Sequence, residues 1–246
     1  MTLEDFLDDI NHEAKTLLSS DFQIEVVETA FVPSFDDSYI TFDNLDQNTK
    51  RCKRLESCIL HVDIRNSARI SVEKQAQTLA RLYSAFVSGM IQAARFFGGH
   101  VRNIVGDRVM VVFDTENCFS NAVNTAILMS SVSQFVMNKH AKDLNFRCGI
   151  GIAYGRMLIT KAGMIRRGAE TEFYRSLVWL GKPANIASRL TDIANKPQWH
   201  TFEGVQEGLR NPFTNELYWV EKATTIFSIT WSLPTHKLLS TRILVS

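Results

Sequence analysis

Ser57-Cys58-Ile59-Leu60-His61-Val62-Asp63-Ile64 is an apolar run of strand length with a carboxylate next to its end. Near-continuous hydrophobicity over so few residues marks a strand covered on both faces. Downstream, Leu79, Leu82, Phe86, Met90, Ala94 and Phe97 recur at three- and four-residue steps, which predicts one long helix stopped by Gly98 and Gly99. Two short strands follow, Val101 to Val105 and Val109 to Phe113, and Gly106-Asp107-Arg108 between them has hairpin spacing. A second helix is expected over 116–139, then a strand pair from Phe146 to Thr160 turning at Tyr154-Gly155. The order β-α-β-β-α-β is the ferredoxin-like split βαβ arrangement, an α+β fold with helices packed on one face of a mainly antiparallel sheet.

Outward from this core, residues 1–54 read as an N-terminal appendage, with an amphipathic helix from about Leu3 to Leu18 and an irregular stretch around Val32-Pro33-Ser34-Phe35-Asp36-Asp37. The basic cluster Arg51-Cys52-Lys53-Arg54 reads as a solvated flank of the first strand. The folded core is expected over 55–246. After a polar stretch with Arg166, Arg167 and Glu170 come a short strand, Leu177 to Leu180, and a helix from about Ala184 to Ala194, with Pro183 in its first turn. Alternation from Leu217 to Trp231 suits a closing hairpin.

Composition excludes several classes. The formal net charge of +1 leaves no whole-molecule field for nucleic acid or an anionic membrane, and no basic stripe with interleaved aromatics is present. No apolar run reaches membrane-span length, and the acidic start lacks the parts of a signal peptide, so a cytoplasmic protein is expected. The cysteines at 52, 58, 118 and 148 form no CxxC pair, and the six histidines lack ligand spacing, so neither a disulfide framework nor a zinc site is implied.

Asp63 near the end of the first strand and Asp107 in the hairpin turn can converge at one sheet edge. Paired carboxylates near phosphates are a divalent-metal signal, because Mg²⁺ or Mn²⁺ offsets their repulsion and takes oxygen ligands. An Asp at either place also serves as a plain polar terminator. Asn185 and Arg189, four residues apart on a helix, share a face and could together hold a triphosphate, or could simply be solvated there.

Taken in order, Val62-Asp63-Ile64-Arg65, the run from Gly98 through His100, Asn103 and Gly106 to Asp107, Arg147-Cys148-Gly149-Ile150-Gly151-Ile152-Ala153-Tyr154-Gly155, and Gly181-Lys182-Pro183-Ala184-Asn185-Ile186-Ala187-Ser188-Arg189-Leu190 resemble the class III adenylate and guanylate cyclase catalytic domain over roughly residues 55 to 232. The resemblance implies a palm-like cyclase core that binds two Mg²⁺ or Mn²⁺ ions per site at Asp63, Ile64 and Asp107. It implies that Asn185 positions the ribose and transition state, that Arg189 contacts the triphosphate, and that a lysine on the polyphosphate is best matched by Lys222. It further implies a head-to-tail homodimer with two shared sites, each drawing aspartates from one chain and Asn185 and Arg189 from the other. Arg65 and Arg69 either face substrate or carry surface charge.

At the positions where purine cyclases of this family read the base stand Asn103 and Val178. Val178 cannot hydrogen-bond through its side chain, and a buried base edge left unpaired costs roughly 1–3 kcal/mol per group. With Val62 to Ala68 after the first strand and Phe31 to Asp37 before it, this departure resembles the bacterial Pycsar pyrimidine cyclases of antiphage defence, whose cyclic UMP or cyclic CMP activates an effector encoded beside the cyclase. Asn103 offers a donor and an acceptor to a uracil edge, which favours UTP over CTP. The alternatives are a purine cyclase reading the base through Arg102 or Tyr174, and a non-catalytic cyclase-like regulatory module.

Overall fold

The computed structural model describes residues 2–141, 144, 146–163, 175–193, 207–210, 217–220 and 226–229. The chain divides into two compact units. The first comprises Met1–Thr29, Pro33–Leu55 and Met157–Gly181; the second comprises Ala30–Val32, Glu56–Arg156 and Lys182–Ser246.

The elements in chain order are α1 (Leu3–Leu17), β1 (Gln23–Thr29), β2 (Thr49–Ile64), α2 (Ser67–Glu73), α3 (Ala76–Phe96), β3 (His100–Val105) and β4 (Arg108–Val112). Then come α4 (Cys118–Ser131), a π-helical turn (Val132–Met137), α5 (Asn138–His140), β5 (Cys148–Gly163), β6 (Arg175–Leu180), α6 (Lys182–Ile193), β7 (Glu207–Arg210), β8 (Leu217–Val220) and β9 (Ile226–Ile229).

In the second unit the strand order is β3-β4-β2-β5, the order a split βαβ core requires, and β9 pairs antiparallel with β5. Strand alternation sorts the side chains between the two faces. Cys58, Leu60, Val62 and Ile64 of β2, Val109 and Val111 of β4, and Ile150 and Ile152 of β5 join one buried cluster with Phe86 and Met90 of α3 and Ala126 and Met129 of α4. Removing this apolar surface from water is the main stabilising term. The intervening positions, including His61, Asp63 and Arg108, face the other side of the sheet. The expectation of helices on one face therefore holds for α3 and α4, whereas α6 lies over the opposite face.

In the first unit β1 runs parallel to the start of β2, from Gln23↔Thr49 to Thr29↔Leu55, and the end of β5 pairs antiparallel with β6. Helix α1 starts with a capping box between Thr2 and Asp5 and buries no residue. Strand β1 went unread in the sequence, where Gln23-Ile24-Glu25-Val26-Val27-Glu28-Thr29 carries too many charges to stand out. The basic cluster is a correction too: it lies within β2. Cys52 is buried, Lys53 pairs with Asp37 at 2.6 Å, Arg54 pairs with Glu28 at 3.0 Å, and the Arg51 guanidinium sits 5.1 Å from the Tyr39 ring centroid.

Two further expectations are overturned. Tyr154-Gly155 is no turn, because β5 continues unbroken from Cys148 to Gly163. Gly155 instead takes φ +150° where a Cβ would meet Pro183 Cγ at 2.9 Å, so its missing side chain admits the first turn of α6. Nor do the tail strands form one hairpin: β8 pairs with β7, and β9 pairs with β5. All four cysteines are free and buried.

Candidate active site

Antiparallel pairing of β2 with β4 runs from Ile59↔Val112 to Val62↔Val109. One step further this register sets Asp63 across from Arg108, the first residue after the hairpin turn. Their side chains meet: Arg108 Nη2 donates to Asp63 Oδ2 at 2.7 Å. In the turn itself, Asp107 Oδ2 accepts from the backbone N–H of Ile64 at 3.0 Å, which ties the hairpin tip to the residue beside Asp63. The turn that carries Asp107 is thus tied to the strand end that carries Asp63 and Ile64.

Asp63 is 7% exposed. Its Oδ1 is buried and makes no hydrogen bond, with Arg65 Nη1 standing 3.9 Å away. A buried carboxylate oxygen without a hydrogen-bond donor, next to a second carboxylate, suits a hard divalent cation. Among the described residues no cluster of three or more His, Cys, Asp or Glu offers a competing metal site. Two positions before Asp63, His61 is buried with its Nδ1 lacking a hydrogen bond. Burial, with Arg108 nearby, lowers its pKa to about 4, which keeps the imidazole neutral near neutral pH.

Arg65 lies inward: its guanidinium occupies the space a Cβ at Gly149 would need, and its backbone N–H donates to Arg147 O at 2.9 Å. Arg69 belongs to the surface, 3.5 Å from Glu73 one helical turn on.

Helix α6 presses onto β5. A Cβ at Gly151 would collide with the Ala187 carbonyl oxygen and come within 2.6 Å of Leu190 Cβ, so only glycine permits this approach. Ala187, Leu190 and Thr191 form the buried face of α6, while Asn185 and Arg189 share the exposed face. Neither makes a hydrogen bond or ion pair with Asp63 or Asp107 among the described residues. What joins α6 to the aspartates is Arg108, whose Nη1 donates to Ser188 Oγ at 2.8 Å and whose Nη2 donates to Thr191 Oγ1 at 3.2 Å. Arg108 was missed in the sequence. Its only signal there is its place after Asp107, and that acquires meaning only once the strand register is known.

Of the base-reading positions, Asn103 is exposed on β3 beside a register shift between Val101 and Asn103, and Val178 is half-buried on β6 opposite Thr160. Arg102 donates to the carbonyls of Val101 at 3.1 Å and Val32 at 3.4 Å. Lys222, Tyr174, Arg166, Arg167 and Glu170 lie outside the described residues.

Solved structures of nucleotide cyclases share this fold of helices packed on a mainly antiparallel sheet. The adenylyl cyclase CyaB from P. aeruginosa superposes with a TM-score of 0.53 at 18% identity over 76% of this chain and 98% of that one. The guanylyl cyclase Cya2 does so with a TM-score of 0.52 at 16% identity, over 72% of this chain and 92% of that one. The adenylate and guanylate cyclase catalytic domain model matches residues 35–226, and the chain belongs to that family. Among curated relatives, a uridylate cyclase of Gulbenkiania mobilis is 32% identical over 69% of this chain and 65% of its own length. This chain thus spans just under two thirds of that protein. A uridylate cyclase of Burkholderia cepacia is 29% identical over 70% of this chain and 72% of its own, and a cytidylate cyclase of Staphylococcus aureus is 29% identical over 38% and 24%.

Proposed function

We propose that this protein is a pyrimidine nucleotide cyclase that converts UTP, or with less preference CTP, to the 3′,5′-cyclic nucleotide and pyrophosphate. The observation that carries the reading is the buried, donor-free Oδ1 of Asp63 at a strand end whose next residue, Ile64, donates its backbone N–H to the Asp107 carboxylate, in a chain whose relatives are named uridylate and cytidylate cyclases.

In this reading Asp63, Ile64 and Asp107 hold two divalent cations. Bound there, Mg²⁺ or Mn²⁺ supplies Lewis-acid polarisation of the ribose 3′-OH and the phosphate oxygens. The 3′-oxygen attacks the α-phosphorus in line, its bond to the pyrophosphate bridging oxygen breaks, and the 3′-OH proton passes to solvent. Asn185 orients the ribose, and Arg189 pairs with the triphosphate and offsets charge developing on phosphorus. Both lie on the exposed face of α6 and, among the described residues, make no hydrogen bond or ion pair with this chain's own aspartates, which supports their serving the site of a second copy in a symmetric homodimer. Lys222 is the residue assigned to the polyphosphate, and Asn103 and Val178 are those assigned to base selection. In the purine alternative the base would be read by Arg102, which here donates to two backbone carbonyls, or by Tyr174. The cyclic product acts on a separate effector in antiphage defence.

The purified protein is incubated with Mn²⁺ and each of ATP, GTP, CTP and UTP in turn, and products are identified by chromatography and mass. Cyclic UMP or cyclic CMP as the main product supports the proposal, whereas cyclic AMP or cyclic GMP sinks the base assignment and no cyclic product from any of the four sinks the activity.

A further inference from the structure

The second unit carries a cavity that the active site does not use. Helix α3, the π-helical turn, α5 and Leu144 line an open cavity of about 570 Å³, within the span of about 300–1,000 Å³ typical of small-molecule pockets. Its apolar wall includes Leu82, Val132, Val136, Met137 and Leu144, and among the described residues that line it the cationic side chains are Lys74 and Arg81, with His140 beside them. No Asp or Glu is among the described residues that line it. Arg81 and His140 are exposed, which puts them at the mouth, and Lys74 is half-buried where α2 ends. Neither Lys74 nor Arg81 enters an ion pair among the described residues.

The backbone here is irregular in an informative way. Val132–Met137 is π-helical, and three of its residues, Val132, Val136 and Met137, face the cavity. A π turn inserts an extra residue that widens the helix, and such insertions recur at functional sites. Apolar walls with cations at the mouth complement a molecule with an apolar body and one negative end.

We infer that this cavity binds an amphipathic carboxylate of the fatty-acid type, with its chain against Leu82, Val136 and Met137 and its carboxylate at Lys74 and Arg81. The inference is independent of which nucleotide the active site takes.

Isothermal titration calorimetry of the full chain with decanoate, below its micelle concentration, tests it, with decanol as the neutral isostere. Saturable one-to-one binding is expected, weakened about tenfold for decanol and about tenfold by Arg81→Gln, the size that losing a charge-assisted hydrogen bond implies. Ala85→Trp, at an exposed α3 position lining the cavity, fills the space and abolishes binding, while an unshifted melting curve shows that the variant folds. Absence of saturable binding, equal binding of decanol, or binding unchanged by Ala85→Trp would overturn the inference.

Discussion

At the scale of the residue, Asp63 is the side chain on which most depends. Losing one preorganised electrostatic contact in a site of this kind costs on the order of 3 kcal/mol, a hundredfold or more in rate. Asp63→Ala is therefore expected to retain under about a hundredth of wild-type turnover in a product-formation assay, and wild-type activity in that variant would refute the assignment. Arg108 poses a different question, since it touches Asp63 and α6 together. Removing a guanidinium that satisfies a buried carboxylate leaves that group unpaired, so Arg108→Met is expected to lower unfolding free energy by about 2 kcal/mol in urea titration. If the pair is what matters, Asp63→Asn/Arg108→Met loses clearly less than the two single changes added together. Simple additivity would show that the 2.7 Å contact carries no coupling.

At the scale of the element, the contact of α6 with β5 rests on Gly151. Inserting a methyl into such a packed contact costs typically about 1–3 kcal/mol. Gly151→Ala is thus expected to lower stability by that amount and to reduce the turnover number more than it raises KM for the nucleotide, because it displaces the helix bearing Asn185 and Arg189. An unchanged melting temperature and rate would remove the packing argument. In the first unit, Asp37 anchors the segment after Pro33: its carboxylate accepts from Lys53 Nζ at 2.6 Å and from the N–H groups of Tyr39 at 3.0 Å and Ile40 at 3.3 Å, while Lys161 Nζ donates to its carbonyl oxygen at 2.9 Å. Burial raises the Asp37 pKa, but the Lys53 contact and the two N–H groups outweigh it and the net shift is downward. A depressed carboxylate pKa stabilises the fold above the unfolded-state value and loses that contribution as pH falls through the folded one. Asp37→Ala is expected to cost about 2 kcal/mol near neutral pH. The gap from wild type should narrow as the pH is lowered through the carboxylate range, as read by urea titration; a gap constant with pH would assign the cost to packing instead.

At the scale of the whole molecule, the expected homodimer makes a prediction that no monomeric arrangement shares. In a symmetric pair with shared sites, combining Asp63→Ala with Arg189→Ala places both defects in one site and leaves the other intact. Mixing the two inactive proteins in equal amounts and allowing subunits to exchange should restore about a quarter of wild-type activity, the statistical share of intact sites in a two-fold assembly. Activity that stays at the level of the single variants would place all four residues in one chain's own site.

The order of elements around residues 57–113 was legible in the sequence because periods of two and 3.6 are local properties of the chain. For the same reason the places of Asp63 near a strand end and Asp107 in a tight turn could be read directly. The order of the four motifs was enough to suggest the family. What lay beyond reading was every partnership between distant segments: Arg108 against Asp63, β1 alongside β2, β5 running straight through Gly155, and β8 and β9 parted between two sheets. A Tyr-Gly pair suits a turn or a close approach equally well, and only the arrival of Pro183 against Gly155 decides between them. Strand partners and registers are chosen by which surfaces bury each other and which backbone groups satisfy each other across the fold, and periodicity along the chain carries no record of that choice.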